Sequence, residues 1–256
     1  MLNRRTLFAG LAAGAVFAST RTAFAAMPTK VRNIVLVHGA YADGSSWSEV
    51  IPLLQQAGLN VTAVQNPLMS LEDDCNYTRR ALALQDGPTV LVAHSYGGEV
   101  ITETGIDPKV STLVYCAARG PDANEDYTAL AKQFPAPPAS AGLIHSGGFA
   151  RLSEAAFLRD FAGDVDPEKA RALYAVQAPV ADSLFSAKVT RAAWREKPSF
   201  YAVSSQDRTI NPDLQRFMAK RMQAATIEIP ASHLAIVSHP REIAGLILKA
   251  AGAGAA

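Results

Sequence analysis

The stretch from Thr89 to Gly98 constrains the fold of this chain more than any other. An apolar, strand-like run, Thr89 to Ala93, stops at His94-Ser95, and the pair Gly97-Gly98 opens a helix-like segment. The pattern small-x-Ser-x-small, with Ala93 and Gly97 as the small residues, is that of a strand turning sharply into a helix, a nucleophile elbow. The serine backbone is strained in such a turn, and large side chains two positions to either side would collide. The Ser95 hydroxyl is then left exposed at the end of a sheet, with a helix N-terminus behind it. Glycine is the usual residue at the first small position, so Ala93 is a mild departure.

Six strand candidates frame this turn: Val31–Val37, Val61–Val64, Thr89–Ala93, Val110–Cys116, Ser199–Val203 and Thr226–Ile229. Most are continuous apolar runs, as in a parallel sheet covered on both faces. Helical segments separate them. Ser46-Trp47-Ser48-Glu49 has the form of a capping box, Pro52 is expected to kink the helix behind it, and Gly58 suits its end. Ser70 is placed to cap the next helix. Pro212–Arg221 and Pro240–Ala250 each carry proline in a first turn. The stretch from Arg119 to Trp194 is too long for a simple crossover. It shows helix signals at Ser153 and at Asp166-Pro167-Glu168, and reads as a helical cap inserted over the end of the sheet.

Downstream, Asp207 and His233 each follow a strand-like run, giving the chain order Ser95, Asp207, His233. With Leu36-Val37-His38-Gly39-Ala40, Gly44-Ser45-Ser46-Trp47, Ser205-Gln206-Asp207 and Ser232-His233, the chain resembles the α/β-hydrolase superfamily over about residues 31 to 250. It is similar, within it, to the branch of plant methyl-ester esterases, hydroxynitrile lyases and small bacterial esterases. The resemblance implies an α/β fold with a mainly parallel sheet of about six strands, a core formed by residues 26–118 and 195–256, and a cap over 119–194.

A free serine hydroxyl is a weak nucleophile; a neutral histidine must take its proton, and a carboxylate must orient that histidine. Ser95, His233 and Asp207 are the candidates for these roles. Asp122, after the strand ending at Cys116, competes with Asp207 as the acid, although Gly120-Pro121-Asp122 is also a plain turn sequence. An oxyanion needs fixed donors: the N–H of Tyr96 is one, and by resemblance the N–H of Ala40 is the other. His38 is expected to order that loop, His94 to point away from the nucleophile, His145 to be a minor candidate for the pocket wall and His239 to be exposed.

The favoured activity is cleavage of a small-molecule carboxylic ester. No cofactor or metal is implied: the first strand runs into His38-Gly39-Ala40 rather than into a phosphate-binding glycine loop. The main alternative is carbon–carbon lyase chemistry. Hydroxynitrile lyases of the resembling branch carry threonine where this chain has Gly39 and lysine where it has Leu234. A non-catalytic ligand-binding member is the third reading. The cap aromatics Phe149, Phe157, Phe161, Tyr174 and Phe185 hint at an apolar substrate group, although aromatics more often fill cores.

Residues 1–25 read as an export leader. Arg4-Arg5 start it, Leu7–Ala18 is a short apolar run and Ala23-Phe24-Ala25 is a cleavage site. The paired arginines resemble a twin-arginine signal, implying a periplasmic or secreted protein. The formal charge is +1, and removing the three arginines of residues 1–25 leaves about −2. Neither value points to nucleic acid or an anionic membrane as a partner. Cys75 and Cys116 are the only cysteines, and folding before export favours two buried free thiols over a disulfide.

Overall fold

The structure, a computed structural model, describes residues 31–252. The expected leader over residues 1–25 lies outside the described residues. Six strands form one sheet: β1 (Asn33–Val37), β2 (Asn60–Ala63), β3 (Thr89–His94), β4 (Val110–Cys116), β8 (Ser199–Ser204) and β9 (Ala225–Ile229). Their order is β2-β1-β3-β4-β8-β9, and every neighbouring pair is parallel. The central strands β1 and β3 are buried along their whole length, as their unbroken apolar runs require.

Right-handed crossovers decide where the helices lie. The chain steps from β1 outward to β2 through α1 (Val50–Gln56), then reverses through α2 (Leu71–Ala83) to β3 and α3 (Gly97–Thr104) to β4. The reversal puts α1 on one face and α2 and α3 on the other. The last helix, α9 (Pro240–Ala250), packs with α1.

Two local expectations are corrected. Asp43, not Ser46, caps the start of this region: its carboxylate accepts from Ser45 N, and α1 begins only at Val50. Pro52 is therefore the third residue of α1. Its missing N–H is one of the donors a helix start leaves unpaired anyway, so the expected kink has no cause. Elsewhere the signals act as read. Ser70 caps α2 through Asp73 N, and Gly58 follows α1 at a φ of 78°.

Between β4 and β8 the chain makes its long excursion. It contains α4 (Tyr127–Ala131), α5 (Glu154–Ala156) running into a π-helical turn at Phe157–Phe161, and α6 (Pro167–Ala175). Ser153 and Asp166 supply the caps, as their positions suggested. The excursion is not purely helical. β5 (Leu143–Ser146), β6 (Phe149–Leu152) and β7 (Val180–Ala181) form a small antiparallel sheet, with Gly147 and Gly148, both at positive φ, making the hairpin turn. The strands are short and β5 is largely exposed, so they lack the apolar signature that marked the main sheet. After β8, α7 (Pro212–Arg221) leads to β9, and α8 (Ala235–Ser238) precedes α9. Cys75 and Cys116 are both buried and unpaired.

Candidate active site

Four loops leave the carboxyl ends of β1, β3, β8 and β9, the edge where open α/β sheets gather ligands. Ser95 follows β3 with φ 55°, a left-handed conformation that costs a non-glycine residue on the order of 1 kcal/mol or more. Neighbouring backbone holds it there: Ser95 N donates to Cys116 O at 3.2 Å, and Gly98 N and Arg119 N donate to Ser95 O at 3.0 and 2.9 Å. The small residues are required by contact. A Cβ on Gly97 would lie 2.7 Å from His38 O and 2.8 Å from Val37 O, and one on Gly39 would lie 2.6 Å from Ser95 Cβ.

The structure brings Ser95, His233 and Asp207 into one line. His233 Nε2 lies 2.8 Å from Ser95 Oγ, and His233 Nδ1 lies 2.7 Å from Asp207 Oδ2. The Asp207 carboxylate accepts three more bonds: Oδ1 from Thr209 N at 2.7 Å and Ile210 N at 3.0 Å, and Oδ2 from Gln215 Nε2 at 2.7 Å. With both oxygens occupied and the side chain fully buried, the carboxylate has one orientation. Asp122, the competing acid, is elsewhere. It forms a two-pronged ion pair with Arg195 at the surface, and that guanidinium pulls its carboxyl below the ordinary carboxylate range.

Ala40 and Tyr96 sit on the loops after β1 and β3, and among the described residues neither backbone N–H donates to a protein acceptor. His38 orders the first of these loops, as expected. Its Nδ1 lies 2.8 Å from Gly39 O, and its Nε2 accepts from Asn66 N at 2.9 Å, which fixes the proton on Nδ1. Burial lowers its pKa and keeps it neutral. Tyr96 is anchored from behind, because its hydroxyl donates to Asp74 Oδ2 at 2.7 Å. Asp74 Oδ1 accepts from Leu68 N, and burial pushes the Asp74 carboxyl up to about 6.

Four expectations differ from the structure. Ser95 is 6% exposed rather than open, because the excursion lies over the sheet edge. The π-helical turn carries Phe161 to 4.9 Å from the His233 ring, centroid to centroid. His94 does not point away. Its Nε2 donates to His233 O at 2.9 Å, tying the residue before the serine to the loop that carries the histidine. No local pattern marks such a contact, since it joins residues far apart in the chain. His145, the minor candidate for the pocket wall, is exposed, paired with Asp182 and not part of the main cavity's lining; His239, expected to be exposed, is half-buried and bonds to Ser238 Oγ.

A cavity of about 510 Å³ opens beside these loops. Tyr41, Arg119, Thr209 and Ile210 bring it against the loops that carry Ala40, Ser95 and Asp207. Much of the remaining wall is apolar, with Phe134, Leu143, Leu152, Phe185 and Leu214. Of the cap aromatics singled out from the sequence, only Phe185 lines it; Phe157 and Phe161 are buried core. Among the described residues no cluster of His, Cys, Asp and Glu forms a metal site, and no helix is long and apolar enough to cross a membrane.

The family model described as "Alpha/beta hydrolase family" matches residues 34–246. The chain belongs to the alpha/beta hydrolase family. This hydrolase is 28% identical to a pyrethroid hydrolase of Sphingobium wenxiniae, covering 88% of this chain and 89% of the relative. It is 25% identical to a putative methylesterase of Arabidopsis thaliana, covering 86% and 97%. Among solved structures, the hydrolase aligns with a pyrethroid hydrolase from Sphingobium faniae at TM-score 0.73 and 22% identity, covering 87% of this chain and 98% of that one. It aligns with polyneuridine aldehyde esterase at TM-score 0.73 and 21% identity, covering 86% and 98%. At these identities the structural likenesses speak to the fold alone.

Proposed function

We propose that this hydrolase cleaves carboxylic esters through Ser95, His233 and Asp207. The observation that carries this reading is the 2.8 Å approach of His233 Nε2 to Ser95 Oγ, with His233 Nδ1 held 2.7 Å from Asp207. Ser95 Oγ attacks the ester carbonyl as His233 Nε2 takes its proton, and Asp207 stabilises the imidazolium. The backbone N–H groups of Ala40 and Tyr96 donate to the oxyanion. His233 then protonates the departing alkoxide, leaving the acyl group on Ser95. Water, deprotonated by His233, attacks the acyl-enzyme, and the acid product leaves with Ser95 restored. The methylesterase name of the Arabidopsis thaliana relative supports ester substrates.

The lyase alternative is disfavoured at Gly39. A threonine there, as the resembling lyases carry, would press its Cβ to 2.6 Å from Ser95 Cβ in this backbone. Leu234, where those enzymes have lysine, is buried at 1% exposure. A panel of chromogenic esters of increasing acyl length tests the reading. The purified protein turns over at least part of the panel, and Ser95→Ala loses about 10³-fold or more in turnover while remaining folded. Unchanged turnover in Ser95→Ala removes it as the nucleophile.

Residues 119–194 act in this reading as a cap that shapes the pocket, and residues 1–25 as a cleaved twin-arginine leader. Replacing Arg4 and Arg5 with lysine should retain the precursor in the cytoplasm on cell fractionation; normal export of that form contradicts the twin-arginine route.

A further inference from the structure

We propose that Arg119 makes the 510 Å³ cavity selective for esters that also carry a carboxylate, a proposal that rests on the serine-esterase reading above. Arg119 is locked to the nucleophile turn by its own backbone, since its N–H donates to Ser95 O at 2.9 Å. Its side chain is only 19% exposed and lines the cavity. A guanidinium carries five N–H donors. Here Nη1 donates to Glu99 Oε1 at 3.0 Å, and the group lies 4.7 Å from the centroid of the Tyr127 ring. Among the described residues Glu99 is the sole protein acceptor for this guanidinium, and Nε and Nη2 are not sealed in the core. A largely buried cation that lines a cavity and keeps unpaired donors is set to receive an acceptor from a ligand.

The wall around it fits that use. The cavity is lined by two cations, Arg119 and Lys132, and by no Asp or Glu. Glu99 lies behind Arg119 on α3, 2% exposed, where it fixes the guanidinium without joining the cavity wall. Phe134, Leu143, Phe185 and Leu214 supply apolar surface for the hydrocarbon of the same ligand. A guanidinium held by Glu99 through Nη1 and lying over the Tyr127 ring, with its other donors unpaired, can take a carboxylate at little further ordering cost. A neutral ester gains nothing from those donors and leaves them to water.

The test compares 4-nitrophenyl hexanoate with mono-4-nitrophenyl adipate, which share an acyl length and differ by one terminal carboxylate. The reported quantity is the ratio of kcat/KM for the adipate to that for the hexanoate. The double variant Arg119→Gln with Glu99→Gln leaves no lone buried charge and should lower this ratio about tenfold, mainly through KM. Glu99→Gln alone keeps the guanidinium and should not lower the ratio. An unchanged ratio in the double variant overturns the proposal and leaves Arg119 a structural strut of the turn. Calorimetric binding of free adipate to Ser95→Ala separates this proposal from the esterase reading, because it needs no turnover. Binding that disappears when the double substitution is added supports the role of Arg119. Absence of binding contradicts it, even if esters are hydrolysed; loss of all ester turnover with adipate binding retained faults the esterase reading instead.

Discussion

The Nε2 of His94 donates to the backbone carbonyl oxygen of His233 at 2.9 Å, so the residue that precedes Ser95 is tied to the loop that carries His233. The acceptor is a carbonyl, so the His94 proton sits on Nε2, and Nδ1 is left buried without a protein partner among the described residues. Burial first, and the neighbouring His233 second, hold the His94 pKa well below the ordinary histidine value. His94 is thus a neutral clamp in the working pH range.

Removing the clamp should cost turnover more than binding. His94→Leu is expected to lower kcat by about 10- to 100-fold with a smaller change in KM, because displacing a catalytic group by about 1 Å is enough for losses of that size. His94→Gln retains a donor near the same place and should recover part of the loss. Equal kinetics for His94→Leu and the parent protein contradict the role.

The acid is tested by ranking two variants. Asp207→Asn should reduce turnover by up to about 10⁴-fold, because the amide favours the wrong tautomer of His233. Asp122→Asn should change it little: Asp122 is paired with Arg195, itself 59% exposed, and an exposed pair is worth about 1 kcal/mol or less. Steady-state kinetics on both purified variants decide it, and the opposite ranking removes Asp207 from the mechanism.

Asp74 sets a pH dependence of stability. Its carboxyl is raised to about 6 in the folded state from 3.8, chiefly by burial. Between these values the unfolded chain has released the proton and the folded one has kept it, so this group favours folding less as pH rises through that window and levels off above it. His94, whose folded pKa is depressed, acts in the opposite direction below 6.5, so the Asp74 effect has to be read as a difference. The Tm of Asp74→Asn minus that of the parent should increase from about pH 4 to about pH 6.5. A flat difference across that range contradicts the assignment.

How far the site is legible in the sequence follows from the range of the forces involved. Ser95, Asp207 and His233 stand out because each sits where a short apolar strand breaks into a turn, and the geometry of Ser95 is written into Gly39 and Gly97 only a few positions from strand ends. The parallel sheet is legible for the same reason: strands buried on both faces are apolar throughout. The small sheet β5-β6-β7 is not, because its strands span two to four residues and β5 faces solvent. Nor is the clamp of His94 on His233, the packing of Phe161 on the same ring or the anchoring of Tyr96 by Asp74. Each joins residues that only tertiary packing brings together, and a histidine, a phenylalanine and an aspartate carry no local mark of such partners.

The central claim is that Ser95 is an activated nucleophile in the folded hydrolase. Treating the purified protein with a fluorophosphonate and mapping the adduct by peptide mass spectrometry tests it most directly. A single covalent adduct on Ser95, absent after denaturation before treatment and absent in Ser95→Ala, is the predicted result. An adduct on another residue, or no adduct from a preparation that hydrolyses esters, would contradict it.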